Sequence, residues 1–131
     1  RRCVETAEAL GDRWGVEPAI SHDVGEVESP TADLAERGVW LRGFMGSTWS
    51  AQPPELVAWR QRIVDFLLAT EGQDCVVVSH FVAINAAVSF ANGDDRVVVF
   101  APDNCSITEL KVEGGKLEVV ELGGEARTFV N

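Results

Sequence analysis

Of the two histidines in this 131-residue chain, His80 stands between two apolar stretches, Cys75-Val76-Val77-Val78-Ser79 before it and Phe81 to Phe90 after it. A strand that passes directly into a helix leaves the joining residue at the strand's carboxyl end, beside helix amides that favour an anion. An imidazole there can hold a phosphate or move a proton. It can equally cap its own helix or pack in the core, and position alone leaves these readings level. Arg2 is the second candidate. It opens a helical stretch, where a cation opposes the helix dipole, and so suits a ligand anion. On spacing alone, a plain exposed arginine at a frayed end is the simpler account. Glu26 and Glu28 flank Val27 in an irregular segment, and a loop carboxylate raised in pKa by desolvation can donate a proton. With 21 acidic residues in the chain, most must simply face solvent. Asn104-Cys105-Ser106 could offer amide or hydroxyl donors, though a turn before a strand explains it more cheaply.

Other chemistries are excluded or weakened. The three cysteines, Cys3, Cys75 and Cys105, show no C-x-x-C spacing, and an odd number argues for a reduced, cytoplasmic setting. Neither histidine has nearby acids at metal-ligand spacing, so no metal and no cofactor are expected. Gly114-Gly115 and Gly123-Gly124 lack the G-x-x-x-x-G-K phosphate loop, and Ser79-His80 lacks a G-x-S-x-G elbow. A net charge of −10 is the opposite of a nucleic-acid footprint. Any anion site must therefore be a local cationic pocket in an acidic surface. No apolar run reaches the roughly 20 residues of a membrane helix. The length suits one domain, 1–131, with 46% apolar residues enough for a packed core. No nucleic acid and no membrane is expected as a partner, and a homodimer is left open.

The elements that would position these residues follow from periodicity. Val4, Ala7, Leu10 and Trp14 mark one face of a helix from Arg2 to Trp14, with Gly15 as its stop. Val16–Ile20 reads as a short edge strand broken by Pro18. Ser29-Pro30-Thr31 reads as a helix start capped by Ser29 or Thr31. Residues 30–53 form a variable insertion or lid holding one or two short helices. Within it Trp40, Phe44 and Trp49 roof the site or fill the core, with core favoured for Trp40. Pro54 to Thr70 carries a strong helical stripe ended by Gly72. The β-branched run Cys75–Ser79 reads as a strand buried on both faces, and Phe81 to Phe90 as a helix ending near Asn92-Gly93. Arg96–Phe100 and Ser106–Val112 read as strands, the latter joined to Lys116–Leu122 by a Gly114-Gly115 turn. Gly123–Asn131 reads as a mobile end. Helix, buried strand, helix places the chain in the α/β class.

Taken in order, these pieces resemble the histidine phosphatase superfamily, which includes phosphoglycerate mutases and many small phosphatases. Arg2-Cys3-Val4-Glu5-Thr6-Ala7 looks like the end of the family's Ser-Pro-Leu-x-Arg-x-x-x-Thr-Ala segment. Glu26 matches the place of its acid, and Val76-Val77-Val78-Ser79-His80-Phe81 resembles its second histidine motif. Asn104-Cys105-Ser106-Ile107-Thr108-Glu109-Leu110 is similar to a late strand signature. The resemblance implies a phosphoglycerate mutase-like three-layer α/β sandwich with a mostly parallel central sheet, here lacking its first strand. It also implies that a histidine in an Arg-His-Gly motif is transiently phosphorylated. In the matching positions Arg2 would bind phosphate, His80 would be the second histidine, and Glu26 the proton donor with Glu28 as understudy. Arg1 is a poorer match than Arg2. No Arg-His-Gly occurs in the 131 residues, and His22, between Ser21 and Asp23, is no substitute. The expectation is a chain that reads as beginning part-way through a longer enzyme, the nucleophile lying upstream of Arg1. The implied partner is a small phosphorylated substrate. A phosphatase is favoured over a mutase, because the insertion is aromatic and only weakly basic, with Arg37 and Arg42, and so fits a small or apolar phosphate ester better than a polyanion. A non-catalytic phosphate-binding or protein-interaction remnant of the same fold is the alternative.

Overall fold

Helix α1 spans Arg2–Trp14 and ends where Gly15 turns left-handed (φ 68°), donating its N–H to the Gly11 carbonyl in the computed structural model, which describes residues 1–126. A left-handed residue costs glycine nothing, which makes it a natural helix stop. The chain then doubles back along the helix, and Gly11 is buried where Val16 and Pro18 cross it. This crossing is irregular, and Val16 and Ile20 are exposed, so the expected edge strand at Val16–Ile20 is absent. Pro18 lacks an N–H for a ladder, and no partner strand lies alongside.

After a single 3-10 turn at His22–Val24, helix α2 covers Leu34–Met45. Its cap is Asp33 rather than Ser29 or Thr31: the Asp33 carboxylate accepts from the N–H groups of Ala35 (3.0 Å) and Glu36 (2.9 Å). An aspartate directly before the first helical residue outcompetes residues further upstream for these donors. A second 3-10 turn, Trp49–Ala51, leads to α3 (Pro54–Leu68), with Pro54 in the first turn where no N–H is needed. Helix α4 (Phe81–Asn92) is capped by Gly93 in the left-handed region.

The sheet differs most from expectation. Among the described residues it is a two-stranded antiparallel hairpin, β1 (Glu109–Glu113) and β2 (Lys116–Glu121), and no parallel sheet forms. Gly114 and Gly115, both at positive φ, make the tight turn this hairpin requires. The Cys75–Ser79 run is not a buried strand. Its peptide groups from Asp74 to Val78 bond to no other backbone group among the described residues, Cys75 is exposed, and Val76 is 59% exposed. A β-branched run becomes a strand only when neighbours offer it ladder partners, and none flanks this one. Arg96–Phe100 likewise forms no strand beyond a single bridge from Arg96 to Thr48. Here the reason is visible: the Asn85 side chain takes the N–H groups of Val99 (2.8 Å) and Phe100 (3.2 Å) that a ladder would use. Gly123–Ala126 is tied down rather than loose, by Asp103 N–H to Gly124 O and Ala126 N–H to Ala101 O, both 2.8 Å. Residues 127–131 of that tail lie outside the described residues.

The core gathers Phe44, Trp49 and Trp59 with Ile63 of α3, Val82, Ala83, Ala86 and Ala87 of α4, Val27 and Val97. Trp40 stacks on Phe44 (5.2 Å, 9°), Phe44 meets Trp49 edge-on (5.7 Å), and Trp49 donates its indole N–H to the Ser89 hydroxyl (3.1 Å). Phe44 and Trp49 are thus core, and Trp40, half-buried, packs against them at its margin.

Candidate functional site

α4 begins immediately after His80, whose side chain does not cap it, so the first N–H groups of α4 keep partial positive charge. The first turn of α1 lies beside this start. The two ends are joined through Cys3 in the first turn of α1. Its thiol donates to the Ser79 carbonyl (3.2 Å) and lies 3.5 Å from Nε2 and 3.8 Å from Nδ1 of His80. Ser79 in turn donates its hydroxyl to the Val24 carbonyl (2.7 Å), fixing the approach to His80 against the segment that carries Glu26. The Glu26 carboxylate accepts its neighbour's N–H at Val27 (3.0 Å) through Oε1 and places Oε2 3.7 Å from His80 Nδ1.

These groups open onto a cavity of about 420 Å³. Arg1 and Arg2 of the first segment, Glu26 and Val27 of the loop, Arg37, Trp40 and Leu41 of α2, and His80 line it. Three arginines and one glutamate line it, so a chain with net charge −10 carries a hollow with an excess of cationic residues on its wall. Arg1 is partly occupied, its Nε bonding Glu5 (2.8 Å) on the surface.

The structure brings Arg2, Glu26 and His80 onto this one cavity and leaves the other candidates outside it. Glu28 is exposed and does not line it, His22 is exposed on its 3-10 turn, and Asn104-Cys105-Ser106 sits at a turn before β1. Among the described residues no group of His, Cys, Asp and Glu is arranged to hold a metal ion. The three cysteines are free. Sequence reasoning missed Cys3 and Ser79 as the struts of His80. It read Trp40 as roof or core and Arg37 as one of two basic residues of the insertion, and both line the cavity, where Arg37, Trp40 and Leu41 at i, i+3 and i+4 share a helix face.

A sequence model of the histidine phosphatase superfamily (branch 1) matches residues 1–124. The chain belongs to the histidine phosphatase superfamily. No curated protein and no solved structure matches it significantly. Membership makes phosphoryl transfer of the phosphatase or mutase type the family's chemistry, and it fits a cavity in which cations surround a single carboxylate. It also places the chain in an α/β family, although the described residues pair only β1 with β2. Among those residues no helix is long and apolar enough to cross a membrane.

Proposed function

We propose that this histidine phosphatase chain supplies the phosphate-gripping and proton-donating side of a phosphomonoester phosphatase that works through a phosphohistidine. The nucleophilic imidazole comes from outside residues 1–131. The observation that carries the reading is the common cavity of Arg2, Glu26 and His80, with His80 Nδ1 3.7 Å from the Glu26 carboxylate. His80 is the only histidine on its wall, which leaves the nucleophile's part unfilled within this stretch.

In the first step a histidine nitrogen attacks phosphorus, and the bond from phosphorus to the ester oxygen breaks. The leaving oxygen takes the proton of the Glu26 carboxyl. Arg2, Arg37, His80 and the free amides at the start of α4 hold the equatorial oxygens as negative charge gathers on them, the main source of rate in phosphoryl transfer. In the second step water attacks the phosphohistidine, Glu26 takes back a proton from that water, and inorganic phosphate leaves. No cofactor and no metal enters either step. The same proposal holds that residues 1–131 are a single domain with 30–53 as the insertion beside the site. It also places the enzyme in a reducing cytoplasm.

A non-catalytic phosphate-binding module is the second reading, favoured by the absence of an Arg-His-Gly motif from the 131 residues. Two measurements separate the two. Titration of the chain with inorganic phosphate should show binding that Arg2→Ala weakens. Treatment of the full-length protein with an aryl phosphate, followed by denaturation, should trap an acid-labile, alkali-stable phosphoryl group. Binding without any trapped group would leave the module; no binding at all would refute both.

A further inference from the structure

Trp40 borders two hollows. On one side is the cationic cavity of Arg2 and His80; on the other is an open groove of about 480 Å³ lined by Pro30, Thr31, Ala35, Glu36, Val39 and Trp40 itself. The indole is held between them by its stack on Phe44, which is buried in the core. It is therefore a fixed wall rather than a loose surface side chain.

The groove's chemistry is selective by what it leaves available. Its apolar members, Pro30, Ala35, Val39 and the Trp40 indole, present dry surface, and Val39 is 64% exposed on an otherwise regular helix. Its two polar side chains bond to each other: the Thr31 hydroxyl donates to the Glu36 carboxylate at 2.8 Å. The same hydroxyl accepts the Asp33 N–H (3.3 Å). Apart from the acceptors left on the Glu36 carboxylate, the wall is apolar and offers the hydroxyls of a sugar little to replace their water. No lysine or arginine lines the groove, while Glu36 does, so a second anionic group on a ligand would meet repulsion there.

We infer that the groove beyond Trp40 receives the organic part of the substrate, and that this substrate is an aryl or alkyl phosphomonoester, not a sugar phosphate or a polyanion. The inference rests on the phosphate-binding reading of the neighbouring cavity. Phosphate sits with Arg2 and His80, and the ester's apolar group crosses the indole edge onto Val39 and Pro30. Trp40 is then the residue that sets specificity, and Val39 the contact that rewards an apolar group.

The test is a ratio of affinities in the full chain. Naphthyl phosphate, glycerol phosphate and inorganic phosphate are titrated against wild type, Val39→Asp, Val39→Leu and Trp40→Ala, with circular dichroism confirming the helices. Naphthyl phosphate should bind about tenfold more tightly than the other two, the increment expected for moving an aromatic ring from water onto apolar side chains. Val39→Asp and Trp40→Ala should bring that ratio toward one, and Val39→Leu should keep it. A wild-type ratio near one, or a ratio indifferent to Val39→Asp, overturns the inference. Should inorganic phosphate fail to bind at all, the phosphate-binding reading falls. Uncharged naphthol then judges the groove alone: binding lost in Val39→Asp sustains it, and binding unchanged rejects it.

Discussion

Nδ1 of His80 and Oε2 of Glu26 stand 3.7 Å apart on the wall of one cavity, one at the start of α4 and the other in the loop before α2. That spacing suits ion pairing when the imidazole is protonated but exceeds a direct hydrogen bond. The carboxylate is thus near His80 without being hydrogen-bonded to it, an arrangement that suits the proton-donor role proposed for it. Glu26→Gln keeps the shape and removes the proton. In the full-length protein it should slow hydrolysis of an alkyl phosphate by about 10²–10⁴-fold, the usual worth of a positioned acid. Hydrolysis of para-nitrophenyl phosphate, whose leaving group needs little protonation, should slow far less. Equal losses on both esters would remove Glu26 from the role of proton donor.

The grip itself should depend on Arg2 and His80 more than on any surface cation. A hydrogen bond to a charged group is worth about 1.5–3 kcal/mol, so Arg2→Ala should weaken phosphate binding roughly 10- to 150-fold. His80→Ala should fall in the same range, while Arg2→Lys keeps the charge but loses the guanidinium fork and should sit between. Arg13→Ala, at the far end of α1, serves as the control and should change little. Calorimetric titration with inorganic phosphate reads all four.

What could be read from the sequence was what local rules control. α1, α3, α4 and the hairpin follow from side-chain period and from Gly15, Gly93 and Gly114-Gly115, each acting on its own neighbours. The Cys75–Ser79 and Arg96–Phe100 runs failed because a strand is a relationship with another segment, and residue type says nothing of whether one is present. Asn85 shows this most directly, since a side chain in the middle of a helix supplies the acceptor that a neighbouring strand would have offered. At the site, Arg2, Glu26 and His80 were visible as residue types in suggestive places. Trp40 was legible only as roof or core, because Leu34, Val39, Trp40, Leu41 and Phe44 read as a single apolar stripe. Only packing shows that Phe44 turns inward while Trp40 faces the cavity.

Gly11 offers a test of the crossing that holds α1 in place. In an exposed helix interior, Gly→Ala stabilises by about 1 kcal/mol. Here a Cβ at position 11 would press into the Val16 carbonyl oxygen and come within 3.0 Å of Pro18 Cδ. Backbone cannot yield as a flexible side chain can. Gly11→Ala should therefore destabilise, by about 1–3 kcal/mol as overpacking does, in urea unfolding. Ala9→Gly, on the exposed face of the same helix, should cost only the ordinary propensity difference.

Asp94 gives a titration that checks the turn after α4. Side-chain hydrogen bonds from Arg96 (Nη2 at 2.7 Å), reinforced by its backbone N–H (3.0 Å), lower the carboxyl pKa to about 2. A depressed folded-state pKa contributes stability that is present above the unfolded value of about 3.9 and is lost as pH falls through about 2. Carbon-detected NMR should find the Asp94 midpoint near 2, and Arg96→Ala should move it up toward the ordinary carboxylate range. An unmoved midpoint would mean the pair is not formed in solution.

Asn85 carries the most concentrated demand in the fold. It is fully buried, its Oδ1 accepts from Val99 and Phe100, and its Nδ2 donates to the Phe81 carbonyl (3.1 Å) one turn from His80. Asn85→Leu fills the site with a somewhat larger apolar side chain and strands two backbone donors, each costing about 1–3 kcal/mol when left unmade in the interior. Urea unfolding should register a net loss of about 2–4 kcal/mol, since some relaxation is expected. Asn85→Asp separates hydrogen bonding from packing. Its oxygens can still accept from Val99 and Phe100, but the charge is buried, so its folded-state pKa should rise above the unfolded value. Stability relative to wild type should then be greatest below about pH 3.9 and decline as pH rises through the raised folded value, the reverse of the Asp94 trend. Because α4 begins at His80, loosening of its first turn in Asn85→Leu should also weaken phosphate binding. Equal stability losses for the two variants at every pH would show that the site needs the volume and not the amide.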